Sequence, residues 1–286
     1  MRSCALEVVD DGLFSPEVGP WSEDKWRLVS LYQELFATGM KDKWDQRVYI
    51  DLYAGAGHSR IRGTRRTLKG AALASLCVRN AFDKYIFCEE DPERIEALRT
   101  RASRIAPSLD ISYVIGDCDD KIAEICSLVP RFSQQRRVLS LCFVDPFDFG
   151  INFETIRKLS DFYIDFLVLL AVGMDANRNY DHYVEGESKK IDVALGNDEW
   201  RTRWKEVGVH RSDFRTFLAS EFSRSMQGLG YLPQPIHQMK HVRSDDRNLP
   251  LYYIALFSRS PVAYKFWKDV LKYGDDQQTL DFERTP

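Results

Sequence analysis

The chain has 286 residues, of which 44% are hydrophobic and 29% are charged, and its formal net charge is −3. These values are ordinary for a globular protein, and the length allows one large domain or two small ones. The small negative charge excludes a general electrostatic attraction to nucleic acid or to anionic lipid, so either partner would need a local basic patch.

The cysteines are scattered along the chain. None of the six stands in a C-x-x-C pair or a Cys/His cluster, which argues against a zinc or iron–sulfur site. Such a pattern is typical of a reducing compartment. The sequence shows neither a signal peptide nor an apolar run long enough to span a bilayer. We therefore expect a cytoplasmic protein without a bound metal and without a membrane partner.

Hydrophobic periodicity divides the chain into an arm and a domain. Residues 1–20 lack periodicity and predict an irregular N-terminal arm, whereas residues 21–286 predict a single domain. The first helix is predicted to have Ser22 as its N-cap and to end at Gly39. Strands and helices then alternate. The predicted strands are 47–52, 85–88, 111–115, 138–144 and 164–172, and the predicted helices between them are 71–82, 92–105 and 153–159.

The last third of the chain has a different pattern. Residues 176–210 are polar and charged, and together with a helix at 214–226 they predict a helical insertion over about 176–230. Two late strands are predicted, 234–242 and 252–258, joined by a polar turn at 244–248. A terminal helix is predicted to begin at Pro261.

Strands that alternate with helices predict an α/β fold, a doubly wound, mostly parallel sheet with helices on both faces. In such a sheet, ligands bind beyond the carboxyl ends of the strands. An acidic residue stands at four of these predicted ends: Asp51, Glu89, Asp117 and Asp145. This coincidence predicts a ligand site at that edge of the sheet.

The first predicted strand runs into two glycines, Gly55 and Gly57, in a turn that we call the glycine loop (residues 53–57). Two glycines in this position allow the backbone to approach a ligand closely, and an ordinary strand-to-helix turn is the alternative interpretation. The dinucleotide fingerprint would need a third small residue where Arg60 stands, which argues against a nucleotide-binding oxidoreductase.

An acid four residues before the first glycine, with no third glycine, resembles the first motif of class I S-adenosylmethionine (SAM)-dependent methyltransferases. The resemblance implies a Rossmann-like sheet of seven strands with a late antiparallel hairpin, and SAM as the cofactor. It also implies cofactor-binding roles for residues of the glycine loop and of the next two strand ends. These are Gly55 and Gly57 beneath the methionine moiety, Asp51 at its ammonium end, Tyr53 beside it, Glu89 or else Glu90 at the ribose, and Asp117 at the adenine amino group, where a turn aspartate is the alternative.

The fourth strand is followed by Asp145, Pro146 and Phe147, which resemble the [D/N/S]-P-P-[Y/F] motif of amino-group methyltransferases. The resemblance implies that the acid and a backbone carbonyl hold the target nitrogen while the aromatic ring stacks on a base. Only one proline is present, so a proline-containing turn is the alternative interpretation. An acid opposite the methyl donor suits this chemistry, because the target amine loses a proton as the methyl group transfers.

Residues 58–69 contain four arginines, one lysine and no acid. This pattern favours a phosphate or nucleic-acid contact, and a solvated flexible loop is the alternative. The four candidate contact residues are Arg60, Arg62, Arg65 and Arg66.

Four stretches together resemble one family more closely, the three-Cys-motif partner proteins, a bacterial family with a methyltransferase-like fold. These stretches are 19–25, 49–57, 143–147 and 252–257. The resemblance implies that Lys25 faces the cofactor and that the partner is a radical-SAM-like three-Cys-motif protein. Two hypotheses follow: an enzyme that methylates a nitrogen of a nucleic-acid base or a related amine, and a SAM-binding scaffold that serves the partner protein with little or no turnover.

Overall fold

The computed structural model describes residues 6–173, 179–186, 188–207, 210–244 and 249–282, and for 274–282 it describes only the backbone. The predicted turn at 244–248 therefore lies almost entirely outside the described residues. Strands in the described ranges are β1 (Glu7–Val8), β2 (Glu17–Val18), β3 (Gln46–Asp51), β4 (His58–Ile61), β5 (Thr67–Lys69), β6 (Lys84–Glu89), β7 (Ile111–Ile115), β8 (Val138–Val144), β9 (Ile164–Leu170), β10 (Lys240–Arg243) and β11 (Pro250–Phe257).

The helices alternate with the strands in the first part of the chain and cluster in the last. The first five are α1 (Ser22–Met40), α2 (Ala71–Ser75), α3 (Pro92–Ile105), α4 (Ile122–Leu128) and α5 (Phe153–Leu159). The later α-helices are Tyr180–Val184, Lys190–Leu195, Trp200–Val207, Phe214–Gly228 and Pro261–Phe282, with short 3₁₀ helices at Arg211–Asp213 and Ile236–Gln238. None of the helices in the described ranges has the length and apolar character that crossing a bilayer requires.

Seven strands form the main sheet, in the order β10-β11-β9-β8-β3-β6-β7. Strands β3, β6 and β7 pair in parallel, whereas β11 is antiparallel to both of its neighbours, β9 and β10. The strands near the centre are apolar on both faces, as expected for a sheet covered by helices on both sides, and β3, β8 and β9 are buried along their full length. The predicted mostly parallel α/β sheet with a late antiparallel hairpin is confirmed.

The chain divides into two compact units. The first consists of Met1–Cys142 and Pro261–Pro286, and the second of Phe143–Ser260. In the first unit, α1 continues past Gly39 to Met40, because this glycine serves close packing against the terminal helix. A Cβ atom at Gly39 would lie 2.5 Å from the Phe266 ring. The N-cap of α1 is Trp21 and not the predicted Ser22, and no side chain caps the helix.

A predicted helix in the first unit is much shorter than expected. Residues 71–82 were expected to be helical, but α2 ends at Ser75. The guanidinium of Arg47, itself 6% exposed, donates to the carbonyls of Asn80 and Ala81 and forms an ion pair with Asp83. These contacts use carbonyl groups that a continuing helix would direct along its own axis, so the tertiary environment overrides the helical propensity of this segment.

The second unit carries β9, β11 and β10 and the short helices of the predicted insertion, of which residues 176–178, 187, 208 and 209 lie outside the described part. Trp204 and Phe214 pack with ring centroids 5.0 Å apart, and Tyr180 meets Phe214 at the same distance. The strand expected at 234–242 is confined to Lys240–Arg243. Proline residues at 233 and 235 lack the amide hydrogen that a central strand position requires, and a 3₁₀ helix occupies Ile236–Gln238.

Candidate functional site

Asp51 is the last residue of β3, and it is 1% exposed. Its Oδ1 accepts a hydrogen bond of 3.2 Å from the Tyr53 amide, and its Oδ2 accepts one of 3.3 Å from the Tyr49 hydroxyl. Gln33 donates to that hydroxyl at 2.8 Å. Burial and the nearby Asp51 carboxylate hold the pKa of Tyr49 well above its usual value. Asp51 therefore closes the turn that follows β3.

Glu89 ends β6 and is also buried, at 7% exposed. Its Oε2 accepts a hydrogen bond of 2.9 Å from the Gly55 amide, and its Oε1 accepts one of 3.1 Å from the Asp91 amide. Each carboxylate oxygen retains a further lone pair for a ligand hydroxyl. Glu90, by contrast, is exposed. Of the two acids that the sequence left open for the ribose, Glu89 is the one bonded to the glycine loop.

The two glycines of the glycine loop have different surroundings. Gly55 has φ +62°, and a Cβ atom there would meet nothing within 4 Å, so the loop presents bare backbone to open space. Gly57 has φ +82°, and a Cβ atom there would lie 2.7 Å from Leu73 and 3.0 Å from Leu98. The space at Gly57, which was expected to be needed for a cofactor, is thus filled by apolar side chains of α2 and α3. Gly57 is required for packing.

The segment 58–69 is a β-hairpin and not the loop that the sequence led us to expect. Strands β4 and β5 pair antiparallel and form a four-stranded sheet with the two strands of the arm, in the order β1-β5-β4-β2. The chain leaves the glycine loop at Gly57 and returns at Gly70, whose amide donates a 2.7 Å hydrogen bond to the Gly57 carbonyl. The hairpin is therefore an insertion between the glycine loop and α2, and it lengthens the stretch of chain between Gly57 and Glu89.

The four arginines of this hairpin do not share one environment. Arg66 donates two hydrogen bonds of 2.8 Å to Glu23 and one of 3.1 Å to Glu7. Its charge is already paired with two carboxylates, and its expected contact with a phosphate stays a prediction. The side chains of the other three are exposed and form no ion pair within the described part of the chain. These are Arg60, Arg62 and Arg65.

Asp117 follows β7 and is exposed, and its Oδ1 accepts a 2.7 Å hydrogen bond from the Asp119 amide, as in an aspartate turn. Between them, Cys118 is buried, and its Sγ donates a 3.9 Å hydrogen bond to Oδ1 of Asp119. Burial raises the pKa of Cys118 to about 12. Because β6 and β7 pair in parallel and the Gly116 amide donates a 3.0 Å hydrogen bond to the Glu89 carbonyl, Asp117 lies at the same edge of the sheet as Glu89.

Potential ligand atoms of Asp117, Cys118 and Asp119 lie within 4.8 Å of one another. A thiol binds a metal ion as the thiolate. Burial raises the pKa of Cys118, which adds to the cost of forming that thiolate.

Lys25 lies in the first turn of α1, half-buried, with its Nζ 5.4 Å from the centre of the Trp26 ring. A cation in this position opposes the helix dipole, and the ring compensates part of that cost. The expected role of Lys25 toward a cofactor stays a prediction.

In the second unit, Asp145, Pro146 and Phe147 follow the last residue of β8 directly. Asp145 is half-buried and Pro146 is buried. Phe147 is 99% exposed, whereas Phe149, two residues further on, is 3% exposed. A phenyl ring held entirely in solvent gains nothing from the hydrophobic effect in the isolated chain, so Phe147 is a candidate ligand contact.

Sequence reasoning missed Arg101, which is 3% exposed and donates a 2.6 Å hydrogen bond to the carbonyl of Ala56, inside the glycine loop. A signal was present. Arg101 stands three residues after Leu98 and next to Ala102, and helical spacing places it with these apolar residues. A charged residue on a buried face needs partners, and these could be found only from the tertiary structure.

A scan against protein-family models finds no match for this chain, and a comparison with curated proteins finds none. Solved structures with similar folds include a Legionella pneumophila protein at 10% identity and TM-score 0.49, covering 86% of this chain and 90% of that chain. The O-methyltransferase TomG of Streptomyces achromogenes, solved in complex with SAM, is 9% identical with TM-score 0.43 and coverages of 90% and 94%. Spermidine synthase of Thermotoga maritima is 11% identical with TM-score 0.43, covering 86% of this chain and 61% of that chain.

The order of the main sheet defines the class of fold. Numbered by their place in the chain, its seven strands lie in the order 3-2-1-4-5-7-6, with the seventh strand antiparallel to its neighbours. This is the Rossmann-like methyltransferase fold that the sequence predicted.

Proposed function

We propose that the protein is a SAM-dependent methyltransferase that methylates a nitrogen of a nucleic-acid base or of a related amine. The observation that carries the proposal is the hydrogen bond from the Gly55 amide to Glu89. It joins bare backbone at the end of β3 to a buried carboxylate at the end of β6. A ribose with two vicinal hydroxyls fits this carboxylate, and a charge-assisted pair of hydrogen bonds would hold it.

The other residues of the first unit would complete a cofactor site around this pair. Asp51, buried at the end of β3, would orient the ammonium end of the methionine moiety. Asp117, exposed at the end of β7, would accept a hydrogen bond from the adenine amino group. SAM supplies an electrophilic methyl group on a sulfonium. In such a displacement, positioning of the reacting groups can supply much of the acceleration.

In the second unit, Asp145 and Phe147 would hold the acceptor. The acceptor nitrogen would form its bond to the methyl carbon as the sulfur–carbon bond breaks, and the proton that the nitrogen loses would pass to Asp145 or to water. The exposed ring of Phe147 offers a stacking face for a base. A base within a duplex would have to be extruded first. The cations Arg60, Arg62 and Arg65 of the hairpin would contact phosphates.

The experiment titrates the purified protein with SAM and with S-adenosylhomocysteine by calorimetry, and then assays methyl transfer from labelled SAM to DNA and RNA. We expect micromolar cofactor binding, and methylation that Asp145→Ala abolishes without loss of cofactor binding. Absence of cofactor binding by the wild type would refute the proposal. Cofactor binding without methylation of any acceptor would favour the alternative role, a SAM-binding scaffold for a three-Cys-motif protein.

A further inference from the structure

The buried arginine of α3, Arg101, holds two segments of the chain together. Toward the glycine loop, its Nη1 donates to the Ala56 carbonyl at 2.6 Å. Toward the N-terminal arm, its Nε and Nη2 donate to the two oxygens of Asp11 at 2.8 and 2.6 Å, and its Nη1 donates to the Phe14 carbonyl at 2.8 Å. A further bond of 3.0 Å reaches the Ser15 hydroxyl. The guanidinium is therefore a single junction between arm and loop.

Asp11 makes this junction possible. A guanidinium that is 3% exposed is costly to bury without a counter-charge, and Asp11 provides the carboxylate within bidentate reach. Arg104, one turn further along α3, also lies 3.7 Å from Asp11, but its side chain is 55% exposed. Removal of Asp11 would leave Arg101 buried with carbonyl and hydroxyl partners alone. The ion pair between Asp11 and Arg101 therefore stabilises the arm in its position beside α3.

The arm is also joined to the hairpin that follows the glycine loop. In β2, Glu17 is the register partner of Arg60, and in β1, Glu7 is the register partner of Leu68. The hairpin begins at His58, directly after Gly57. Residues 10–15, which include the partners of Arg101 in the arm, thus lie between two strand pairings. These are β1 with β5 before the segment and β2 with β4 after it.

The loop needs such an external support. Ala56 lies between two glycines with positive φ, so its immediate neighbours offer no side chain that could fix the orientation of its peptide groups. The Gly55 amide must point at Glu89 for the proposed ribose site to exist, and the Ala56 carbonyl two peptide units along is held from the α3 side by Arg101. The two hydrogen bonds fix the loop from both flanks.

We propose that Arg101 is a positioning residue for the glycine loop and that arm residues 10–15, locked by Asp11, are a strap on which SAM affinity depends. This inference rests on the proposed function. Because coupling between two equilibria is reciprocal, bound SAM should in turn protect the strap from opening.

The experiment compares Arg101→Lys and Asp11→Asn with Arg104→Gln, a matched control on the same helix that loses an Asp11 contact without touching the loop. Cofactor affinity is measured by calorimetry, folding by circular dichroism, and opening of the arm by amide hydrogen exchange. We expect the first two variants to bind SAM about tenfold more weakly while remaining folded, as loss of a charge-assisted hydrogen bond implies. Arg104→Gln should stay within about twofold of the wild type, and SAM should slow exchange at residues 12–15.

Folded Arg101→Lys that binds SAM as tightly as the wild type, or exchange in the strap that SAM leaves unchanged, would overturn the inference. If the wild type itself binds no SAM, the proposed function fails, and the positioning role is tested on the protein alone. In that case Arg101→Lys should accelerate exchange of the Gly55 and Gly70 amides, which bond to Glu89 and Gly57, without accelerating exchange in β6. If the Gly55 and Gly70 amides exchange at the same rate in Arg101→Lys as in the wild type, the positioning role is overturned.

Discussion

The amide of Gly55 donates a 2.9 Å hydrogen bond to Oε2 of Glu89, although 34 residues separate them in the chain. The bond links the glycine loop to the acidic residue that ends β6. Its consequence is that the orientation of the loop and the charge of Glu89 depend on each other, which can be tested by substitution.

Glu89→Gln should weaken SAM binding by about 10- to 100-fold, because the proposed charged acceptor of two ribose hydroxyls is lost and the new amide NH₂ can oppose the Gly55 N–H. Calorimetric titration measures the effect. Glu90→Gln is the matched control. The Glu90 carboxylate is exposed, so its replacement should leave the dissociation constant for SAM unchanged. A larger loss of affinity in the Glu90 variant would assign the ribose to that residue instead.

Gly57→Ala should destabilise the fold by about 2 kcal/mol or more, because strain at positive φ adds to the collision with Leu73. Gly55→Ala carries the backbone strain alone and should cost about 1 kcal/mol. Urea denaturation of both variants measures the difference. Equal destabilisation would contradict the separate roles of the two glycines. Gly55 is therefore the better position for blocking a ligand without unfolding the loop.

Replacement of Arg60, Arg62 and Arg65 by glutamine should weaken binding to an oligonucleotide and reduce the slope of log affinity against log salt. Each phosphate contact contributes roughly 0.7 to 0.9 to that slope, so the triple variant should lose up to about 2 to 3. Fluorescence anisotropy at several salt concentrations measures it. Arg66→Gln is the control, because its charge is already paired with Glu23 and Glu7. An unchanged slope in the triple variant would exclude the hairpin as a phosphate contact.

His58→Gln should make the free energy of unfolding less dependent on pH between about 4 and 6.5. Burial, followed by the charge of Arg101, lowers the pKa of His58 to about 4, although Asp11 and Asp10 oppose this and Lys69 adds to it. Below the ordinary pKa of 6.5, the unfolded chain takes up a proton that the folded protein does not, so the wild type loses stability as pH falls through this range.

The size of that loss should be on the order of 2 kcal/mol, and the measurement is urea denaturation at a series of pH values for both proteins. The comparison with wild type matters because Asp165 titrates in the opposite sense. Its burial raises the pKa to about 7, and it contributes stability at low pH that is lost as pH rises toward that value. Asp165 is present in both proteins and cancels in the difference. A difference that is independent of pH would show that His58 titrates normally in the folded protein.

The ends of β3 and β6 were predictable because a buried parallel strand is a continuous apolar run, and a charge directly after it marks where the chain emerges at the edge of the sheet. Asp51 and Glu89 stand at those positions in the structure. Phe147 could be picked out as part of a motif, but its complete exposure could not, since the sequence does not reveal what covers a ring.

Sequence by itself determined the alternation of elements, the class of fold and the strand ends that carry acids, because periodicity and apolar runs are local properties of the chain. Only the tertiary structure decided that residues 58–69 form a hairpin paired with the arm, that Glu89 and not Glu90 bonds to the glycine loop, and that Gly57 packs against Leu73. It alone showed that Arg101 joins Asp11 to Ala56. Each of these depends on contacts between residues far apart in the chain, for which the local pattern contains no partner.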